Sequence, residues 1–264
     1  MLKQPDEFVS TTTEAISWAA EHYRLLVAVG AALLVVLSAV LIVRNIQHTQ
    51  MVKANELFGQ ANVAYNAFVD PTGEGVDAEG VRHQMVFKTE QDKFSKSLES
   101  FELVTEKYPD TSVGMLSLMF CGHCLVKLGE YERAREYYDR FLKTEFDDLF
   151  MRQLAQSSIG ETYMAQSQWD AASQSFELLS NEALDSLRPS ILFNLGMSQE
   201  LGDKTDQAIA TYGTLVREYA GNPLAKSAME RTAALGGSPF GSGANPDEPN
   251  IRLMPMDQTL DIGE

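Results

Sequence analysis

The chain has 264 residues, 44% of them hydrophobic, enough to bury a core that is stable by itself. Its 21 basic against 37 acidic side chains leave a net charge of -16, which repels phosphate backbones and offers no basic stripe, so nucleic acid is excluded as a partner. Two cysteines, Cys121 and Cys124, are too few for a disulfide framework, and with His123 between them they fall short of a closed four-ligand zinc site.

Residues 1–24 form a short stub, too small to fold. "LLVAVGAALLVVLSAVLIV", residues 25–43, follows between Arg24 and Arg44 and holds nothing more polar than Ser38. At about 1.5 Å per residue this run is about 28 Å long, close to the roughly 30 Å hydrocarbon thickness of a bilayer. A retained transmembrane helix is expected. A cleaved signal peptide would have a shorter apolar region, and "RNIQHTQ" stands where its small-x-small cleavage site belongs. Charge does not decide the orientation, since Lys3 and Arg24 on one side balance Arg44 and Lys53 on the other.

Residues 44–235 read as amphipathic helices with no alternating strand pattern. "NIQHTQMVKANELFGQANVAYNAF" continues helically from the span, and the acidic, turn-rich loop at 70–80 joins it to a long second helix ending near Tyr108. "MLSLMFCGHCLVKLG" then carries apolar or small residues at helical spacing, and "YERAREYYDRFLKTEF" repeats the rhythm at Tyr131, Ala134, Tyr138 and Phe141. Two helices joined by a glycine-centred turn make a hairpin, and the hairpin recurs. Gly122, Gly160 and Gly196 each precede by twelve residues an alanine, Ala134, Ala172 and Ala208, and four residues further on stands an aromatic, Tyr138, Phe176 and Tyr212. An earlier copy keeps only Ser97 and Phe101, so the small positions 97, 134, 172 and 208 lie 37, 38 and 36 apart, the near-constant period of stacked hairpins. Glycine and alanine let the two backbones approach, and the aromatic plugs the groove toward the next hairpin.

These residues resemble the tetratricopeptide repeat. "GHCLVKLGEYERAREYY" matches it with Gly122, Gly129, Tyr131, Ala134 and Tyr138, and "IGETYMAQSQWDAASQSF" with Gly160, Tyr163, Trp169, Ala172 and Phe176. "LGMSQELGDKTDQAIATY" keeps Gly196, Ala208 and Tyr212 without the turn aromatic, and "EKYPDTS" looks like a repeat terminator. The resemblance covers roughly residues 50–235 and implies an all-α chain: one N-terminal transmembrane helix, then an α-solenoid of about four helical hairpins plus a capping helix, "NPLAKSAMERTAAL". Residues 236–264 lack the apolar content to pack and are expected to be a disordered acidic tail.

The "FCGHC" stretch invites a thiol–disulfide oxidoreductase reading of Cys121 and Cys124. Such enzymes place the first cysteine at a helix N-terminus, where unpaired N–H groups lower its pKa; here about eight helical residues precede it, and no βαβ pattern surrounds it. Two small buried residues in a repeat helix are the competing reading. Spacing of three on a helix puts the Cα atoms about 5 Å apart, so a strained disulfide is geometrically allowed. His123 is expected to be partly exposed, and Met115, Met119, Met151, Met164 and Met197 to be core fillers. No Ser-His-Asp set, phosphate loop or paired carboxylates stand out, so no enzyme, cofactor, metal or small-molecule substrate is expected.

A stub, one span and a helix leading into about four such hairpins also resembles the YfgM-like proteins, ancillary subunits of the bacterial Sec translocon; the loop at 70–80 and the tail depart from that pattern. The resemblance implies a single-pass protein of the inner membrane with a periplasmic helical domain. It implies a protein-interaction scaffold with translocon or envelope-chaperone partners and no enzymatic activity; a structural subunit of another envelope complex is the alternative. In this architecture the first helices line the concave face that binds partners. Asn194 falls where carboxylate-binding repeat proteins place an asparagine, but Phe120 and Ser158 hold the equivalent positions, which argues against a carboxylate clamp.

Overall fold

The computed structural model describes residues 17–75, 80–81 and 85–238. Most of the expected stub, part of the acidic loop and nearly all of the expected tail lie outside the described residues. The chain divides into two compact units, residues 1–57 and 58–264. The first unit contains most of helix α1, Tyr23–Tyr65, whose most apolar 18-residue window has a mean hydropathy of 3.0 and no buried share. By length and composition α1 is a helix that could cross a membrane.

In the second unit the end of α1 is followed by two short strands, β1 (Phe68–Val69) and β2 (Val86–Phe87), paired in parallel. The chain is otherwise helical, as expected, and strands of two residues are too short to show a period in sequence. Parallel pairing needs a connection of roughly a dozen residues or more, which the loop between them supplies. Asp70 organises its start, with Oδ1 accepting from the Thr72 amide at 2.9 Å and Oδ2 from the Gly75 amide at 3.0 Å.

Eight helices follow among the described residues: α2 (Glu90–Lys107), α3 (Ser112–Leu128), α4 (Tyr131–Leu142), α5 (Leu149–Ala165), α6 (Trp169–Ser180), α7 (Arg188–Leu201), α8 (Thr205–Glu218) and α9 (Pro223–Ala234). Each packs against the next, and α7 also touches both α5 and α9. Local chemistry fixes several starts. Thr89, Thr111, Asp148 and Asn222 cap α2, α3, α5 and α9 by accepting from backbone amides of the first turn. Pro189 and Pro223 sit in the first turns of α7 and α9, where a missing N–H costs nothing.

Inside the three full hairpins one turn recurs. The amides of Glu130, Gln168 and Lys204 donate to the carbonyls five residues back, Leu125, Tyr163 and Gln199, at 2.8, 2.9 and 2.8 Å. This closure requires a left-handed residue just before each donor, and Gly129, Ser167 and Asp203 fill that place with φ of 78°, 58° and 60°. Only Gly129 is free of the Cβ penalty there, which is roughly 1–2 kcal/mol for an L-residue. Aspartate is better suited than serine to this region. Between hairpins the links are held from α5: Arg152 donates to the Leu142 carbonyl at 2.7 Å, and buried Gln153 donates to the Glu182 carbonyl at 2.7 Å while accepting from the Leu184 amide at 2.8 Å.

The first hairpin is built differently. Ala61 is buried near the end of α1, but contact with α2 and α3 runs through rings: Phe58 lies 5.6 Å from Phe101 and 5.5 Å from Phe120, and Tyr65 lies 5.7 Å from Phe94. Aromatic meets aromatic here, at edge or tilted geometry, where the later hairpins set an aromatic against a glycine.

Replacing Ser167 by glycine relieves a left-handed serine at the cost of a freer unfolded chain, so Ser167→Gly is expected to stabilise the fold by about 0.5–1 kcal/mol. Urea unfolding of the full chain in detergent, followed by circular dichroism, measures this; an unchanged or lower midpoint contradicts the reading of the turn.

Candidate functional site

The glycine, alanine and aromatic of each full hairpin meet in one contact. Ala134, Ala172 and Ala208 are completely buried on α4, α6 and α8, and Tyr138, Phe176 and Tyr212 are buried one turn later. A Cβ added at Gly122 would lie 2.5 Å from Cε1 of Tyr138, and one at Gly160 would lie 2.6 Å from Cζ of Phe176; Gly196 meets the Tyr212 ring in the same way. At each glycine three adjacent ring atoms are nearly equidistant, so the glycine meets the ring's face. The ring therefore seals its own hairpin before it reaches the next one.

The remaining signature residues sit at the turns and flanks. Gly129 is the left-handed residue after α3, and Tyr131 and Trp169 are half-buried first residues of α4 and α6. Tyr163 lies under the Arg135 guanidinium, 4.4 Å from ring centre to carbon. Met119 is buried, while Met151, Met164 and Met197 are half-buried against the core clusters and Met115 is half-buried outside them.

Cys121 is the tenth residue of α3, far from the capped N-terminus at Thr111, and both Cys121 and Cys124 are free and completely buried. Burial pushes the Cys121 thiol up strongly, with the Glu102 charge adding to it, and pushes Cys124 up to about 12 for the same two reasons. Activation requires the opposite shift. Among the described residues no group of three or more His, Cys, Asp or Glu could hold a metal ion.

The first-helix face carries a different chemistry. One residue past each signature glycine stand His123 on α3, Glu161 on α5 and Met197 on α7. Glu161 is exposed, yet loss of surrounding solvent raises its carboxyl pKa. Its Oε1 accepts two long hydrogen bonds, at 3.4 Å from Ser157 Oγ and at 3.4 Å from Asn194 Nδ2. Asn194 thus already faces an internal carboxylate. His123, half-buried, has its pKa lowered by desolvation and then by Lys127; its ring lies 5.8 Å from Tyr138. Sequence reasoning missed Glu161, whose only signal was its place one residue past Gly160.

Two family models described as tetratricopeptide repeat match residues 117–151 and 191–222, most of the α3–α4 hairpin and nearly all of the α7–α8 hairpin. The chain carries tetratricopeptide repeats. The α5–α6 hairpin between those matches has the same glycine–ring contact and the same turn. Among solved structures, a kinesin light chain protein of Podospora anserina with nearly identical TPR-like repeats is 14% identical at a TM-score of 0.46, covering 55% of this chain and 79% of that one. A variant of the same fungal protein is 15% identical with the same score and coverage. MamA MSR-1 C2 is 15% identical at a TM-score of 0.39, covering 55% of this chain and 80% of that one. No curated protein matches the chain significantly. Tetratricopeptide repeats are typically protein–protein interaction scaffolds, and their presence indicates that role.

Two measurements follow from the site. Gly160→Ala gains helix propensity of about 1 kcal/mol but drives a methyl into the Phe176 ring at an overpacking cost of roughly 1–3 kcal/mol. A net loss of stability is expected, and Gly160→Ala combined with Phe176→Leu should fall short of the summed single losses by about 1 kcal/mol; additive losses would show that the two side chains do not meet. The thiols supply the second. A folded pKa raised above the unfolded one gives stability that is full below the unfolded value, 9.0 for a thiol, and is lost toward about 12, where Cys124 titrates in the fold. The urea midpoint should therefore fall between pH 9 and pH 11, and Cys124→Ala should flatten that fall; equal slopes in both proteins contradict the assignment.

Proposed function

We propose that the chain is a membrane-tethered interaction scaffold of the bacterial cell envelope. Residues 25–43 hold it in the inner membrane as a single pass, and the helical domain, residues 44–235, faces the periplasm and binds the Sec translocon or envelope chaperones through its first helices. The observation that carries this reading is the joining, in one chain, of tetratricopeptide repeats to a helix whose apolar window has a mean hydropathy of 3.0 and no buried residue. A surface of that kind is unfavourable in water and favourable in hydrocarbon, where a helix also satisfies its own backbone groups. The inner membrane, the periplasmic orientation and the partners rest on the resemblance to YfgM-like proteins.

Tethering suits a binder with a shallow face. Confinement to a membrane raises the effective concentration of partners held in the same membrane, so contacts of modest affinity suffice. The thiol oxidoreductase alternative is disfavoured by two thiols with raised pKa and no exposed sulfur.

Chemical crosslinking of the full chain in native membranes, with identification of its neighbours, tests the proposal. The expected result is a chain that stays with membranes after an alkaline wash and crosslinks to translocon or envelope-chaperone components. Release into the wash, or crosslinks to no envelope component, contradicts it.

A further inference from the structure

We infer that the cavity between the α2–α3 turn and the end of α4 takes a single carboxylate, an aspartate or glutamate side chain set in an otherwise uncharged, apolar stretch of a partner protein. The inference rests on the scaffold reading above and adds a site to it, with the chemistry of the segment that enters.

The cavity holds about 680 Å³, within the size range of pockets that enclose a ligand. Buried Leu118 and half-buried Met115, on the first two turns of α3, give it an apolar floor. Both walls are fixed from within. On one side a Cβ at Gly114 would overlap the Tyr108 carbonyl oxygen, so the turn that carries Pro109 and Asp110 lies directly on α3. On the other, Arg152 donates to the Leu142 and Thr144 carbonyls at 2.7 and 3.3 Å and holds the link after α4 in place.

Four charged side chains line this space, Arg140, Lys143, Asp110 and Glu145, and among the described residues none of them stands in an ion pair. Arg133, Arg135, Arg188 and Arg231 each have a glutamate partner; Arg140 has none. Arg140 and Lys143 are three apart at the end of α4 and so share a face. The Arg140 guanidinium is steadied by the Tyr137 ring, 4.7 Å away, and the Tyr137 hydroxyl donates to Glu102 at 2.6 Å. Glu102 is occupied there and by Arg133, at 3.6 Å. Stacking leaves the in-plane N–H donors of the guanidinium open to a carboxylate.

Two cations on one face recruit an anion, and the apolar floor beside them suits its neighbours in sequence. Asp110 and Glu145 set the limit. Their carboxylates in the same cavity repel a second negative charge on the ligand, as does the net charge of -16 on the whole chain. A lone acidic side chain fits, and a run of acids or a phosphate group does not.

The test uses the full chain in neutral detergent micelles and short fluorescent peptides of alanine and leucine, blocked at both ends, with glutamate, glutamine, arginine or three consecutive glutamates at the centre. The single-glutamate peptide is expected to bind about tenfold more tightly than the glutamine peptide, and the other two more weakly than the single-glutamate one. Arg140→Gln combined with Lys143→Gln should bring the single-glutamate peptide down to the glutamine affinity with the thermal midpoint in place, since both side chains are exposed. Asp110→Asn combined with Glu145→Gln should make the triple-glutamate peptide the tighter binder, a gain that a damaged fold does not produce. Equal affinity of the unmodified protein for glutamate and glutamine, binding of no peptide, or tighter binding of the arginine or triple-glutamate peptide overturns the inference. So does a glutamate preference that survives loss of both cations, or no gain from loss of both acids. Any of these leaves the scaffold reading standing if membrane crosslinks identify envelope partners, whereas a chain without such crosslinks loses that reading whatever the peptides show.

Discussion

Everything in the repeat region depends on an aromatic ring lying face-on against a glycine. Tyr138 on Gly122, Phe176 on Gly160 and Tyr212 on Gly196 bring two helices of a hairpin close enough that a single methyl does not fit between them. Completely buried alanines on the same second helices complete the approach. One residue past each of these glycines, about 100° around the helix, stand His123, Glu161 and Met197.

The same contact lies beside the two buried cysteines. Cys121 and Cys124 flank Gly122 and its neighbour on the helix that the Tyr138 ring presses, so their sulfurs are walled in by the seam. A motif that activates a thiol at the tip of a helix has the reverse effect in the middle of one, where burial holds the proton on. The dipeptide between two cysteines says little about redox chemistry; the place of the first cysteine along its helix says much more.

How much of this was legible in the sequence follows from what repeats. Gly122, Gly160 and Gly196 with their alanines and rings recur at fixed offsets, so the hairpins and their period could be read directly. The left-handed turn could be read only at Gly129, because Ser167 and Asp203 occupy the same conformation without announcing it. The strand pair at Phe68 and Val86 is two residues long and shows no periodicity. In the first hairpin no glycine faces Phe101, and its replacement by a ring cluster around Phe58 and Phe120 is visible only in three dimensions. Glu161 was invisible for another reason: sequence gives a side chain its charge, while its hydrogen bonds to Ser157 and Asn194 belong to the fold.

The face-on contact can be measured without substitution. In the full chain in detergent micelles, with glycine selectively labelled, the α-protons of Gly122, Gly160 and Gly196 should resonate well upfield of those of Gly30 and Gly59, helical glycines with nothing within 4 Å, because protons over an aromatic face are shielded. Three shielded glycines beside two ordinary ones is the result this account predicts. Five glycines with ordinary helical shifts would contradict it.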